Sequence, residues 1–268
     1  MILDPFSKRL FSTAGKNNLI SLMYHSVSQN SSQPTWQWAV SFNNFCEQMI
    51  LLKDFGWTTI CSKQLPPDIY NLPEKTVLIT FDDGYADNFP AFEFLVKHNM
   101  CASWFVVTKD IGKTSSWIDK GAPTYPLLTT SQLQEMSTAG MEIGSHTVSH
   151  GRLTLQTASK TELELSKSKA ELATILGQTI DSFAYPYGLY SPEIRDMVKS
   201  LGYKKAFTTR PGFGLVDNDP LQIRRVSIMA SDSLATFARK LAFADNEVGW
   251  TKVGRYSINR IKSRLHLS

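Results

Sequence analysis

Cysteine is scarce in this chain. Cys46, Cys61 and Cys101 are the only three among 268 residues, an odd number, widely spaced and set in apolar segments. That favours reduced, buried thiols over a disulfide framework, and with them a cytoplasmic setting. No apolar run approaches the length of a membrane span, which predicts a soluble protein. The stretch from Met1 to Arg9 lacks the basic-then-apolar pattern of a signal peptide, a second argument for the cytoplasm. The charge excess is mild, at +4, and no Lys/Arg cluster interleaves with aromatics in the body of the chain. A nucleic-acid partner is therefore not expected. Internal repeats and low-complexity linkers are absent as well.

What is present is an ordinary globular composition, 42% hydrophobic and 19% charged, in a chain long enough for a full core. Short apolar runs predict strands at 19–24, 58–61, 76–81, 102–107, 141–145, 182–185, 205–208 and 223–228. Helical patterns separate them at 41–55, 90–98, 131–139, 159–176, 192–201 and 233–242. The 159 helix carries a capping-box pattern at Ser159-Lys160-Thr161-Glu162 and a glycine stop at Gly177. Pro192 after Ser191 is another start signal. Alternating strand and helix over the whole length implies a parallel sheet and an α/β fold. About eight strands without a composition break predict one distorted (β/α) barrel domain over 1–268, with 251–268 a basic tail.

Functional loops in such a barrel follow the C-terminal ends of strands. Two chemically loaded segments stand there: Thr80-Phe81-Asp82-Asp83-Gly84-Tyr85, and Ser145-His146-Thr147-Val148-Ser149-His150. One carboxylate with two imidazoles is a typical ligand set for a catalytic divalent metal, and the other carboxylate is then free to act as a base beside it. Together the two segments predict a metal-dependent hydrolase.

These segments, with Phe183-Ala184-Tyr185-Pro186-Tyr187-Gly188, resemble the three motifs of the polysaccharide deacetylases of carbohydrate esterase family 4, over about 19–228. The resemblance implies a distorted barrel of seven or eight strands and hydrolysis of an N-acetyl group on a hexosamine of a surface polysaccharide or its precursor. It also implies Asp83, His146 and His150 as metal ligands, zinc foremost, Asp82 as general base, and a backbone N–H at Tyr187 as oxyanion donor. In many family members the general acid sits on a late motif, which points to His266, but 257–264 is polar and basic and does not read as a strand. Tyr24-His25-Ser26-Val27 ends a strong strand and resembles the N-terminal motif of the poly-N-acetylglucosamine deacetylase branch, so His25 is the preferred acid. The arginine that opens the family's third motif and orients the catalytic Asp is replaced by Ala184; Arg225 is the candidate substitute, grouped with the substrate-side residues Tyr187 and Trp117. Trp36 and Trp38 are further candidates for stacking on a sugar, whereas Trp104 is expected in the core and His98 at a helix end.

The tail carries Lys252, Arg255, Arg260, Lys262 and Arg264, without acidic residues, interleaved with apolar ones. It reads as a solvated basic helix packed on the barrel, with peripheral contact to an anionic membrane as the second reading. Two other functions remain open on the residues: hydrolysis of a small cyclic amide or imide, as in allantoinase-like relatives, and non-catalytic glycan binding. The metal's identity, the glycan and the oligomeric state are left open.

Overall fold

The computed structural model describes residues 3–16, 19–29, 36–66, 72–117 and 124–254. Its frame is a parallel sheet with helices on its outer face. The strands are β1 (Ile20–Tyr24), β2 (Ser26–Ser28), β3 (Ala39–Ser41), β4 (Thr58–Ile60), β5 (Thr76–Phe81), β6 (Ser103–Val106), β7 (Glu142–Ser145), β8 (Ser182–Ala184), β9 (Lys205–Phe207) and β10 (Val226–Ser227). The helices are α1 (Pro5–Ser12), α2 (Phe42–Asp54), α3 (Phe89–Lys97), α4 (Thr130–Thr138), α5 (Ala158–Leu176), α6 (Pro192–Ser200) and α7 (Leu234–Phe243).

The main sheet runs β10-β1-β5-β6-β7-β8-β9, with β4 paired to β5. Its ends approach one another, because Ile223, just ahead of β10, bridges to Phe207 of β9 in parallel. The sheet is therefore curled into a distorted barrel, as the strand count implies. β1, β5, β6 and β7 are buried at every position, the pattern of strands covered on both faces. Leu78, Phe105, Ala184, Phe207 and Ile223 form a small inner cluster, while a larger one joins the sheet to the helices. Trp104 is wholly buried, as expected.

The eight strands expected from the sequence are all present; β2 and β3 form an additional two-stranded sheet. At three residues each, they are too short to show a period. α1 is a further addition, although Asp4, whose carboxylate accepts from Ser7 N at 2.9 Å, and Pro5 supply a cap and a first-turn proline. The start of α5 needs correction. Thr157, not Ser159, is the cap; its hydroxyl accepts from Lys160 N, while Gly177 ends the helix in the left-handed region as expected. Ser191 caps α6 ahead of Pro192, and His98 closes α3.

Of the cysteines, Cys61 is buried, and Cys46 and Cys101 are only half-buried, so the expectation of three buried thiols holds for one. No described helix is long and apolar enough to cross a membrane. In the tail, Lys252 pairs with Asp245 and Val253 is buried; 255–268, including His266, lie outside the described residues.

Candidate active site

Parallel register carries the chemistry to one rim. Tyr24 of β1 pairs with Phe81 of β5, so His25 and Asp82 both stand one step beyond a matched pair. Val106 of β6 pairs with Ser145 of β7, which places His146 at the same level. Tyr187 follows β8. His25, Asp82, Asp83, His146, His150 and Tyr187 all face one cavity of about 730 Å³.

The backbone is bent to aim these groups. Asp83, Thr147, His150 and Tyr187 all have positive φ, between 56° and 71°. Such conformations cost on the order of 1–3 kcal/mol each and persist where surrounding structure fixes them. The histidine loop is fixed by Glu164 of α5, whose carboxylate accepts from the N–H groups of Val148 and Ser149, both at 2.9 Å, and from Ser149 Oγ at 2.6 Å. Beside Tyr187, Gly188 also has positive φ, and a Cβ there would stand 2.1 Å from Thr209 Oγ1.

Asp83 Oδ1 lies 3.3 Å from His150 Nε2 and 3.5 Å from His146 Nε2. Donors held about 2.1 Å from a four-coordinate ion stand roughly 3.4 Å apart, so these spacings suit a metal. The remaining details agree. His146 Nδ1 is 2.8 Å from the Ala184 carbonyl, which can only accept, so Nδ1 carries a proton and Nε2 is the ring nitrogen turned to Asp83. Asp83 Oδ1 is buried yet accepts no hydrogen bond. Burial would raise the Asp83 carboxyl, but His150 and His146 hold it well below the carboxylate range. Asp83, His146 and His150 can thus hold a divalent cation.

Asp82 is held differently. Arg225 donates to both its oxygens, Nη1 to Oδ1 at 2.6 Å and Nη2 to Oδ2 at 2.7 Å. Arg225 is itself braced, through Nε to Thr208 O at 2.9 Å and Nη1 to Thr80 Oγ1 at 3.0 Å. Burial opposes ionisation of Asp82, yet Arg225, followed by His146, keeps its pKa below the ordinary value. Grouping Arg225 with the substrate residues is corrected by its position: it has no exposed surface and lies behind Asp82. It packs over Phe105 and Phe207, ring centroids 5.8 Å away, the two rings that also pack with Ala184.

His25 is half-buried, with Trp38 at 4.8 Å and Trp36 at 6.3 Å between ring centroids. Burial lowers its pKa against the opposing pull of Asp83 and Asp82. Trp117 lies 5.0 Å from His150, and Tyr187 lies 4.7 Å from the same ring. Sequence reasoning missed Thr80, Glu164 and Arg152. Arg152, two residues past His150, lines the cavity with its guanidinium 3.9 Å above the Tyr187 ring. Its nearness to the second motif was the available signal.

A barrel whose carboxylate pair and histidine pair meet at one rim defines a class, and comparison with known proteins places the chain in it. The sequence model of the polysaccharide deacetylases matches residues 70–206. YxkH of Bacillus subtilis, named as a polysaccharide deacetylase, is 33% identical over 221 residues, 81% of this chain and 73% of YxkH. This chain belongs to the polysaccharide deacetylase family. It is also similar to the poly-β-1,6-N-acetyl-D-glucosamine N-deacetylase of Staphylococcus epidermidis, 26% identical over 87% of this chain and 86% of that one. Among solved structures, the Streptococcus pyogenes deacetylase PplD in complex with acetate superposes with a TM-score of 0.74 at 27% identity, covering 84% of this chain and 98% of PplD.

Proposed function

We propose that the protein hydrolyses the N-acetyl group of a hexosamine in a surface polysaccharide or its precursor, with a divalent metal at Asp83, His146 and His150. The observation that carries this reading is the juxtaposition of that ligand set with a second carboxylate, Asp82, fixed by Arg225 and open to the same cavity. Membership of the polysaccharide deacetylases supplies the class of bond.

A divalent ion, zinc first in expectation, would acidify a water and polarise the acetyl carbonyl. The chain's own residues do the rest. Asp82 takes the proton of the attacking water, and its low pKa keeps it ionised for that task. Arg225 holds both Asp82 oxygens so that the carboxylate does not rotate away. The Tyr187 N–H, on a backbone turned to φ 59°, donates to the acetyl oxygen as charge develops there. His25 delivers a proton to the departing amine, without which the amide nitrogen leaves poorly. Trp38, in the cavity wall beside His25, provides a flat apolar surface for the sugar, whereas Trp117 packs behind His150 and outside that wall.

Acetate released from N-acetylglucosamine oligomers is the test, with metal-loaded protein set against a chelated sample. Release that stops on chelation supports the reading. No release with one metal bound per chain overturns the glycan assignment and favours another amide. Oligomer binding with neither metal nor acetate favours a glycan-binding protein.

A further inference from the structure

Outside the active site, the strongest feature is a pair of thiols at a seam in the sheet. β1 occupies one edge of β5 from Val77 to Phe81, so β4 and β6 must share the other. β4 pairs with Thr76–Leu78 and β6 with Thr80–Phe81, and β4 has no other strand partner among the described residues. Cys61 directly follows β4, and Cys101 stands two residues before β6.

Two hydrogen bonds clamp this seam around the cysteines: Cys101 N to Thr59 Oγ1 at 3.1 Å and Ser62 N to Ser103 Oγ at 3.0 Å. Each sulfur reaches across to the other segment, Cys61 Sγ to Ala102 O at 3.3 Å and Cys101 Sγ to Thr59 O at 3.5 Å. Gln64 Oε1 accepts from both residues, from Cys61 N at 2.7 Å and from Cys101 Sγ at 3.3 Å. We infer that Cys61 and Cys101 are an oxidisable dithiol that forms a disulfide across the β4–β6 seam when a small-molecule disulfide is available.

The chemistry divides by position. Cys101 is half-buried and is the thiol an oxidant meets first; Cys61 is buried. The two neighbouring thiols do not ionise alike: their interaction pulls Cys101 down and pushes Cys61 up, so the half-buried Cys101 is the ready nucleophile. Its thiolate attacks oxidised glutathione, forming a mixed disulfide and releasing one glutathione thiolate. Cys61 then loses its proton and attacks Cys101 Sγ, expelling the second glutathione. The protein gives up two electrons and two protons, and one glutathione disulfide becomes two thiols. Cys46, in α2, is pushed by burial up to about 11 and stays out of the exchange.

The bond would tie β4 to β6 and shorten the free chain of the unfolded state, stabilising the barrel without touching the rim. Protein treated with oxidised glutathione, denatured, alkylated and digested should yield a linked peptide pair containing Cys61 and Cys101, with only Cys46 alkylated. Its melting temperature should rise by about 5 °C. Cys101→Ser should lose both the linked pair and the rise. Three alkylated cysteines, glutathione left stably on Cys101, or a bond to Cys46 would each overturn the inference. Because no outcome depends on turnover, it stands or falls independently of the proposed deacetylation.

Discussion

Arg225 grips Asp82 through two parallel hydrogen bonds, of 2.6 and 2.7 Å, across 143 positions of sequence. The fork matches the carboxylate in a way that a lysine ammonium does not. As the proposed base, Asp82 must stay ionised and aimed, and removing the guanidinium undoes both. Arg225→Met is expected to lower kcat by about 100-fold or more and to move the acid limb of the rate profile to higher pH, because Asp82 loses its main source of depression. Arg225→Lys should recover part of the pH shift but less of the rate. A pH–rate series on both variants checks this, and an unmoved acid limb would reduce Arg225 to packing.

Metal binding should depend on all three proposed ligands. His146→Ala, His150→Ala and Asp83→Asn are each expected to bring metal content from about one ion per chain to near zero. The wild type should melt at lower temperature once chelated, since an ion that binds only the folded chain stabilises it. Elemental analysis and thermal melts read both effects without an activity assay.

His25 must be protonated to serve as an acid, and burial lowers its pKa. Activity is therefore expected to fall as pH rises through a midpoint below that of an ordinary imidazole. His25→Asn should reduce kcat by roughly 10²–10⁴ and abolish that limb. A variant that keeps the limb would move the acid role elsewhere.

Asp87, which accepts from Ser26 beside His25, offers a stability test that needs no turnover. Burial pushes its carboxyl up to about 6, against a hydrogen bond donated by Ser26. A pKa raised on folding contributes stability below the unfolded value, and that contribution is lost as pH rises through about 6. Asp87→Asn should thus gain about 1–2 kcal/mol over wild type at pH 8, after allowing for partial exposure, and nothing near pH 3.5. Denaturant melts at the two pH values decide it.

The strands were legible in the sequence because each buried strand is a short apolar run, and Asp82, Asp83, His146 and His150 were legible because polar pairs end such runs abruptly. Their convergence needed the register, which pairs Tyr24 with Phe81 and Val106 with Ser145. Arg225 was only half-legible. The gap at Ala184 called for a cation, but nothing local separates Arg225 from Arg224, which instead pairs with Asp217 nearer the surface. Glu164 was hidden because it acts from the middle of α5 on a loop about 15 residues away, a contact that no local pattern encodes. The α5 cap is ambiguous in sequence because Thr157 and Ser159 are both good capping residues, and Glu162 fits the pattern for the wrong one.

The most direct test of the central claim compares acetate release from N-acetylglucosamine oligomers by wild type and Asp82→Asn at equal metal content. Both proteins should bind about one divalent ion, with release by the variant at least about 100-fold slower. Equal release from the two would contradict Asp82 as the base, and no release from metal-loaded wild type would contradict the deacetylase reading itself.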